Sequence, residues 1–421
     1  MKLVFRGAAQ EVGRSCIELQ TKQSRVLIDA GLEVTEAEPL YPVGKEKLID
    51  VDAVFLSHAH LDHSGALPLL NHMGLKCPIF CTHMTKYTDK ILLKDSQKLE
   101  RLRSMHPAYE IENVFAVLSH VETIKYNVKG RFKDINYSFY DAGHIPGSAL
   151  VNIKAENKTI FYTGDINTTD SRLLKGASLP DKKPNILITE ATYGNTVHKD
   201  RSQLEKEFVS AINSTLDKGG TALIPVFAVG RAQEIAMIIA EQNFDVPVYI
   251  DGMAKEIVDL YLKYPEYIKN HQQLKKAFRN IQFVQPKSRN AIIREQSIII
   301  STSGMMNGGP VLHYAKHLSH NKDNSILLTG YVAEKTNGRM LLDTGKIFID
   351  GFEVRAECEY KQFHFSAHLG RKQLESMIKK TNPEKIILIH GEEREITPLD
   401  KWCKDNGFDA CAPKLGESIT V

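Results

Sequence analysis

Residues Ser57-His58-Ala59-His60-Leu61-Asp62-His63 follow the short apolar run AVFLS (residues 53–57) and lead into a segment with helical spacing. A strand-to-helix turn of this kind lets neighbouring side chains converge on one point. Three imidazoles and one carboxylate within six positions are ligands that a borderline cation such as zinc prefers. Their alternation divides them: His58 and His60 reach one ion, while Asp62 and His63 turn toward a second. The plain alternative is a histidine-rich surface turn, and the rest of the chain has to decide.

Working outward, the same placement recurs. His144 lies in DAGHIPGS after the run INYSFYD, Asp165 in TGD after TIFY, and His390 in IHGE after KIIL. Each ends an apolar strand and enters a glycine-containing loop, so all of them can gather at one sheet edge. A single histidine placed this way is usually structural; several placed alike point to a shared site. Asp29, in LIDAG after another strand, is expected to support the ligands rather than join them.

The surrounding texture sets the architecture. Short apolar runs bounded by Gly, Asp, Asn or Lys dominate the first part (KLVFRG, CIELQ, RVLID, AVFLS, INYSFYD, ALVNI, TIFYTG) and read as strands. Helical spacing occurs over 65–73 and 86–103. From about Asn195, long helices alternate with single strands: 200–216, TALIPVF, 231–242, PVYI, 255–263, IQFVQ, SIIIST, 309–318 and SILLTG. That alternation predicts a parallel α/β unit. After about Glu353 the strand-like runs QFHFS and KIILIH return, with a helix over 371–380. The expected organisation is a first domain over 1–194, an inserted one over 195–353, and a return to the first over 354–421.

Bulk properties agree with a folded, soluble chain. Of 421 residues, 42% are hydrophobic and 25% charged, and 54 Lys+Arg against 51 Asp+Glu leave a net charge of +3. The total permits a nucleic-acid partner without arguing for one. No run of eighteen apolar residues occurs, so no membrane span is expected, and the start lacks the apolar core of a signal peptide. The cysteines Cys16, Cys77, Cys81, Cys358, Cys403 and Cys411 form no CxxC pair and read as reduced thiols of a cytoplasmic protein. Cys77 and Cys81 are expected to pack rather than hold a metal.

Together, Asp29, the HAHLDH string, His144 and Asp165 resemble the first four motifs of the metallo-β-lactamase superfamily, in order. Glu190 in ITEATYG resembles the next. His368 in FSAH and His390 in IHGE resemble the two late histidine motifs of its β-CASP nucleases, in particular the short archaeal and bacterial relatives of the cleavage and polyadenylation specificity factor catalytic subunit. The resemblance spans nearly the whole chain. It implies an α/β fold, a metallo-β-lactamase αββα sandwich with an inserted α/β β-CASP domain. It implies two Zn2+ per chain, one bound by His58, His60, His144 and Asp165, the other by Asp62, His63, Asp165 and His390, with Asp165 bridging. The catalytic set would be Asp62, His368 as general acid and Glu190 as its orienting partner. RNA would be the substrate, with a homodimer and membership of an RNA-processing complex as expected assemblies. One departure stands out: relatives follow SAH with a small residue and Asp or Ser, whereas Leu369 and Gly370 stand here.

The insertion is expected to grip substrate. Gly230-Arg231 lies between a strand and a helix, and Ser301-Thr302-Ser303-Gly304 follows SIII, so backbone N–H groups there suit a phosphate. Arg231 adds a charged fork. Asn337-Gly338-Arg339 reads as a loop that contacts backbone in the β-CASP context. GMMNGG lacks the GK[ST] of a nucleotide loop, and no GxSxG elbow occurs. Three other readings stay open: a DNA-acting β-CASP nuclease (single-stranded DNA included), a thioester or lactam hydrolase, and a silent RNA-binding scaffold subunit.

Overall fold

The computed structural model describes residues 1–35, 38–103 and 107–421. The chain divides into two compact units. The first comprises Met1–Asp170, Lys175–Val197 and Ala367–Val421; the second comprises Ser171–Leu174 and His198–Ser366.

In the first unit two seven-stranded sheets lie face to face. The order in one is Ser418–Thr420, Lys2–Phe5, Ile17–Gln20, Arg25–Ile28, Ala53–Phe55, Ile79–Thr82, Val121–Ile124. In the other it is Asp409–Cys411, Lys385–Ile389, Ile186–Glu190, Lys158–Tyr162, Ala149–Ala155, Ile135–Asp141, Lys129–Phe132. Side chains alternate across each strand, so the inner strands feed two cores. Ala53 and Phe55 join Ile160, Tyr162, Ile387 and Ile389 between the sheets. Val54 points the other way, toward helices Leu67–Met73 and Ile111–Ser119. Ile386 and Leu388 likewise pack outward against helices Arg371–Thr381 and Glu393–Asp405. The result is four layers, α/β/β/α. Cys77 and Cys81 are buried in the helix-side core, and all six cysteines are free thiols.

The second unit holds a six-stranded, all-parallel sheet in the order Gln282–Phe283, Val248–Asp251, Ile298–Ser301, Ala222–Pro225, Ser325–Leu328, Glu359–Gln362. Its central strands IIIS and ALIP are buried at every position, as parallel strands covered on both faces must be.

Two local expectations change. The strand read from QFHFS is instead Glu359–Gln362, paired with Ser325–Leu328 in the second unit. Phe363 donates the last inter-strand hydrogen bond, to the Leu328 carbonyl at 2.8 Å, and Phe365 lies beyond it; each has its ring centroid 5.2 Å from that of Phe208. Their alternation reflects burial of two rings, which periodicity cannot separate from strand pairing. Asn337-Gly338-Arg339, read as a loop, is the first turn of helix Asn337–Thr344, with the Thr336 side chain accepting from the Arg339 N–H. Gly338 hides that helix in the sequence because it lowers helix propensity. A Cβ there would meet Val332 Cγ1 at 2.8 Å, so the close approach explains the glycine.

Candidate metal centre

Strand direction builds the site. Arg25–Ile28 and Ala53–Phe55 run parallel in one sheet, as do Lys158–Tyr162, Ile186–Glu190 and Lys385–Ile389 in the other. Their carboxyl ends are followed by Asp29, His58, Asp165 and His390, and Ile186–Glu190 ends on Glu190 itself. Open parallel ends of this kind are where α/β proteins place ligands. The loops must turn sharply there. Asp29 (φ 60), Gly164 (φ 52) and His390 (φ 49) all adopt left-handed backbone. Gly31 is required by contact, since a Cβ would lie 1.7 Å from the Asp62 carbonyl oxygen.

Asp29 organises the histidine string. It is fully buried and accepts from Ser57 N at 2.7 Å, Ser57 Oγ at 2.8 Å and Tyr162 Oη at 2.6 Å. His63 Nδ1 donates to the same carboxylate at 2.7 Å, which leaves its Nε2 facing Asp165 Oδ1 at 3.3 Å. His144 is held in the same manner: Nδ1 donates to the Ala367 carbonyl at 2.9 Å and Nε2 faces inward. Fixing one ring nitrogen so that the other points at a cation is the usual support of a metal-binding histidine.

The inward atoms fall into two groups that share Asp165. Ligand atoms of His58, His60, His144 and Asp165 lie within 4.8 Å of one another, as do those of Asp62, His63, Asp165 and His390. Asp165 Oδ2 is 3.4 Å from both His58 Nε2 and His144 Nε2. Its Oδ1 is 3.3 Å from His63 Nε2 and 3.4 Å from His390 Nδ1. An edge of about 3.3–3.4 Å follows from tetrahedral ligation at about 2.0–2.1 Å. His58 Nε2 and Asp165 Oδ1 are buried with no hydrogen bond, a costly state that a cation would relieve.

The electrostatics agree with that fit. Burial, reinforced by neighbouring histidines, lowers the pKa of His58 and His144 and pushes His60 down to about 3, so these rings stay neutral, as ligands must. Burial works against ionised Asp62 and Asp165, yet the adjacent His63 and His390 hold both carboxyls below their usual range. Against its own burial, His63 is raised by Asp165, Asp29 and Asp62. The cluster therefore draws positive charge inward.

A third group adjoins it. Glu190 is buried, accepts from Ile166 N at 2.8 Å, and receives His368 Nδ1 at 2.8 Å. Burial opposes the His368 cation, but Glu190 and then Asp165 raise its pKa to about 9. Leu369, standing where relatives carry a small residue, is buried and donates its N–H to the Ile166 carbonyl at 3.0 Å. Glu190 thus gives His368 polar support from a different strand.

Comparison with known proteins gives the family. A metallo-β-lactamase superfamily domain covers residues 18–192, a Beta-Casp domain 232–341, and a Zn-dependent metallo-hydrolase RNA specificity domain 353–413. The chain is 44% identical to "Probable RNase MJ4" of Methanocaldococcus jannaschii, over 100% of both chains. This is a β-CASP member of the metallo-β-lactamase superfamily. It is also 34% identical to "RNase aCSPSF2" of Saccharolobus solfataricus, over 100% of this chain and 85% of that one. A crystal structure of a protein of unknown function from Enterococcus faecalis V583 shares the fold, with a TM-score of 0.62 at 15% identity over 100% and 99% of the two chains.

The β-CASP positions expected to grip substrate lie in the second unit. Arg231 opens helix Arg231–Ala240 after Gly230 (φ 77), and Ser301 ends strand Ile298–Ser301. Thr302, Ser303 and Gly304 continue from that strand, and a Cβ on Gly304 would lie 3.0 Å from Phe227 N. Arg339 Nε donates to Asp343 at 2.7 Å along its own exposed helix. Sequence reasoning missed Ser57, Tyr162, Thr192 and the Ala367 carbonyl as supports. Thr192 Oγ1 lies 3.3 Å from His390 Nδ1. A hydroxyl beside a ligand motif is the available signal, and it is weak.

Asp29→Asn is expected to weaken zinc binding about 10- to 100-fold, measured by competition with a chromogenic chelator. Unchanged affinity would mean that Asp29 braces the loop without tuning the ligands.

Proposed function

We propose that this β-CASP protein is a two-zinc ribonuclease that hydrolyses RNA phosphodiester bonds. The observation that carries the reading is the division of Asp165 between two histidine groups, with the His368–Glu190 pair beside them. Its relatives named as RNases support the choice of RNA.

His58, His60, His144 and Asp165 would hold one ion, and Asp62, His63, Asp165 and His390 the other. Such ions make hydroxide available near neutral pH and offset charge on the phosphoryl group. The chain's own residues do the remainder. Asp62 is partly open, with its side chain 31% exposed and Oδ2 3.3 Å from His390 Nε2, so it can accept a hydrogen bond from the attacking water. His368 is oriented through Nδ1 by Glu190, leaving Nε2 to give its proton to the departing sugar oxygen. Arg231, Arg339 and the Ser301–Gly304 loop would bind substrate phosphates.

The test uses zinc-loaded protein with RNA and matching DNA labelled at either end. Metal-dependent internal fragments identify an endonuclease, and stepwise loss from one end an exonuclease. Cleavage of DNA alone would favour the DNA-acting reading. Failure on both polymers, with hydrolysis of a thioester or lactam instead, would overturn the proposal. The same reading places the protein in the cytoplasm as a homodimer, checked by sedimentation. Among the described residues no helix is long and apolar enough to cross a membrane.

A further inference from the structure

The near-neutral total charge conceals a strong local asymmetry. Between Lys263 and Arg294 the chain carries eight Lys/Arg and one acidic residue, Glu266, a net +7 against +3 for the whole protein. The remaining residues therefore carry a net −4. The run maps onto one place. Helix His271–Asn280, which packs on helices Arg231–Ala240 and Ala254–Lys263, leads into Gln282–Phe283, the edge strand of the parallel sheet in the second unit, and turn Pro286–Ser288 and helix Arg289–Ile292 follow that strand.

The helix is amphipathic, with Leu274, Ala277 and Phe278 buried. Lys275, Lys276 and Arg279 are exposed at spacings that put them on one helical face. Phe278 stacks on Phe283 of the edge strand, with centroids 5.9 Å apart and planes at 12°, which fastens the helix to that edge. Lys287 and Arg294 are exposed just beyond the strand. Among the described residues, none of these five cations has an ion-pair partner, whereas Arg289 is committed to Asp251 at 2.7 Å.

A short edge strand needs only a charge or two to deter pairing with another chain. That role explains neither the single sign nor the number. Unpaired like charges repel one another, and a polyanion laid across them removes the repulsion while releasing its own counterions.

We propose that this edge is a phosphate-backbone binding face for single-stranded RNA, built from residues other than those of the metal centre. The inference rests on the ribonuclease reading for its ligand. Lys275, Lys276 and Arg279 form its centre, with Lys287 and Arg294 extending it along the sheet edge.

The test compares the full-length protein with K275Q/K276Q/R279Q, since glutamine keeps helix propensity close to that of lysine and arginine. Binding of a 30-nucleotide RNA is followed by fluorescence anisotropy in EDTA over a potassium chloride series. The triple variant should bind about tenfold or more weakly, with the log–log salt slope reduced by about 2. With zinc restored, KM for the 30-mer should rise while kcat for a four-nucleotide RNA is unchanged. K287Q/R294Q should show a smaller loss in the same direction. Equal binding and equal slopes for wild type and both variants would overturn the proposal. So would displacement of the RNA by polyglutamate at equal charge, which would make the face an acidic-protein site. Intact RNA binding without cleavage by the wild type would instead overturn the ribonuclease reading and leave the binding comparison valid.

Discussion

His368→Ala is expected to retain its full zinc content and lose between about 10^2- and 10^4-fold in kcat. The ring lies next to the metal cluster without belonging to either four-residue group, being 4.6 Å from His144 by ring centroid and bonded to Glu190. Removing it takes away a proton donor and leaves every proposed ligand in place. Glu190→Gln should cost less, because an amide oxygen can still receive Nδ1 but no longer supplies the charge that favours the imidazolium. The distinguishing measurement is leaving-group dependence. A substrate whose leaving group needs no proton, such as a nitrophenyl phosphodiester, should be cleaved by His368→Ala at close to the wild-type rate. Equal loss on both substrates would show that His368 is structural.

Asp165→Ala is expected to be more damaging, because one side chain serves both groups. Its two oxygens each face a different pair of histidines at 3.3–3.4 Å. Deleting it should drop bound zinc from two ions to fewer than one, as read by mass spectrometry of the metal after desalting. Activity should fall by roughly 10^3-fold or more, since several kcal/mol of charge stabilisation disappear together. Thermal stability should cease to depend on added zinc, because a ligand stabilises only the state that binds it. A variant that keeps both ions would refute Asp165 as the shared ligand.

Some of the arrangement was legible because its signals are local. HAHLDH, DAGHIPGS, TGD and IHGE each place a chemically distinctive residue just after an apolar run. The strands before HAHLDH, TGD and IHGE have parallel neighbours, and Ile135–Asp141, though paired antiparallel, runs in the same direction as Lys158–Tyr162, so those residues share the carboxyl-terminal side of their sheets. Other parts had no local signature. Tyr162 reads as an ordinary apolar strand residue, yet its hydroxyl is committed to Asp29. Phe363 and Phe365 alternate as a strand would, but the pairing ends at Phe363 and the alternation continues as ring packing on Phe208. Helix Asn337–Thr344 begins on Asn-Gly, whose propensity argues for a turn, and its capping by Thr336 wins.

The sequence by itself determined the ligand types, the α/β layering and the concentration of cations over 263–294. Ligand chemistry, side-chain periodicity and charge are properties of individual residues and their near neighbours. Only the tertiary structure decided which ring nitrogens face inward, which oxygen of Asp165 serves which histidines, and that the cations occupy one sheet edge. Those facts depend on pairing between strands far apart in the chain, as when Lys385–Ile389 lies beside Ile186–Glu190 and brings His390 to the residues of HAHLDH. Distance in space is set there by long-range packing, which no local pattern encodes.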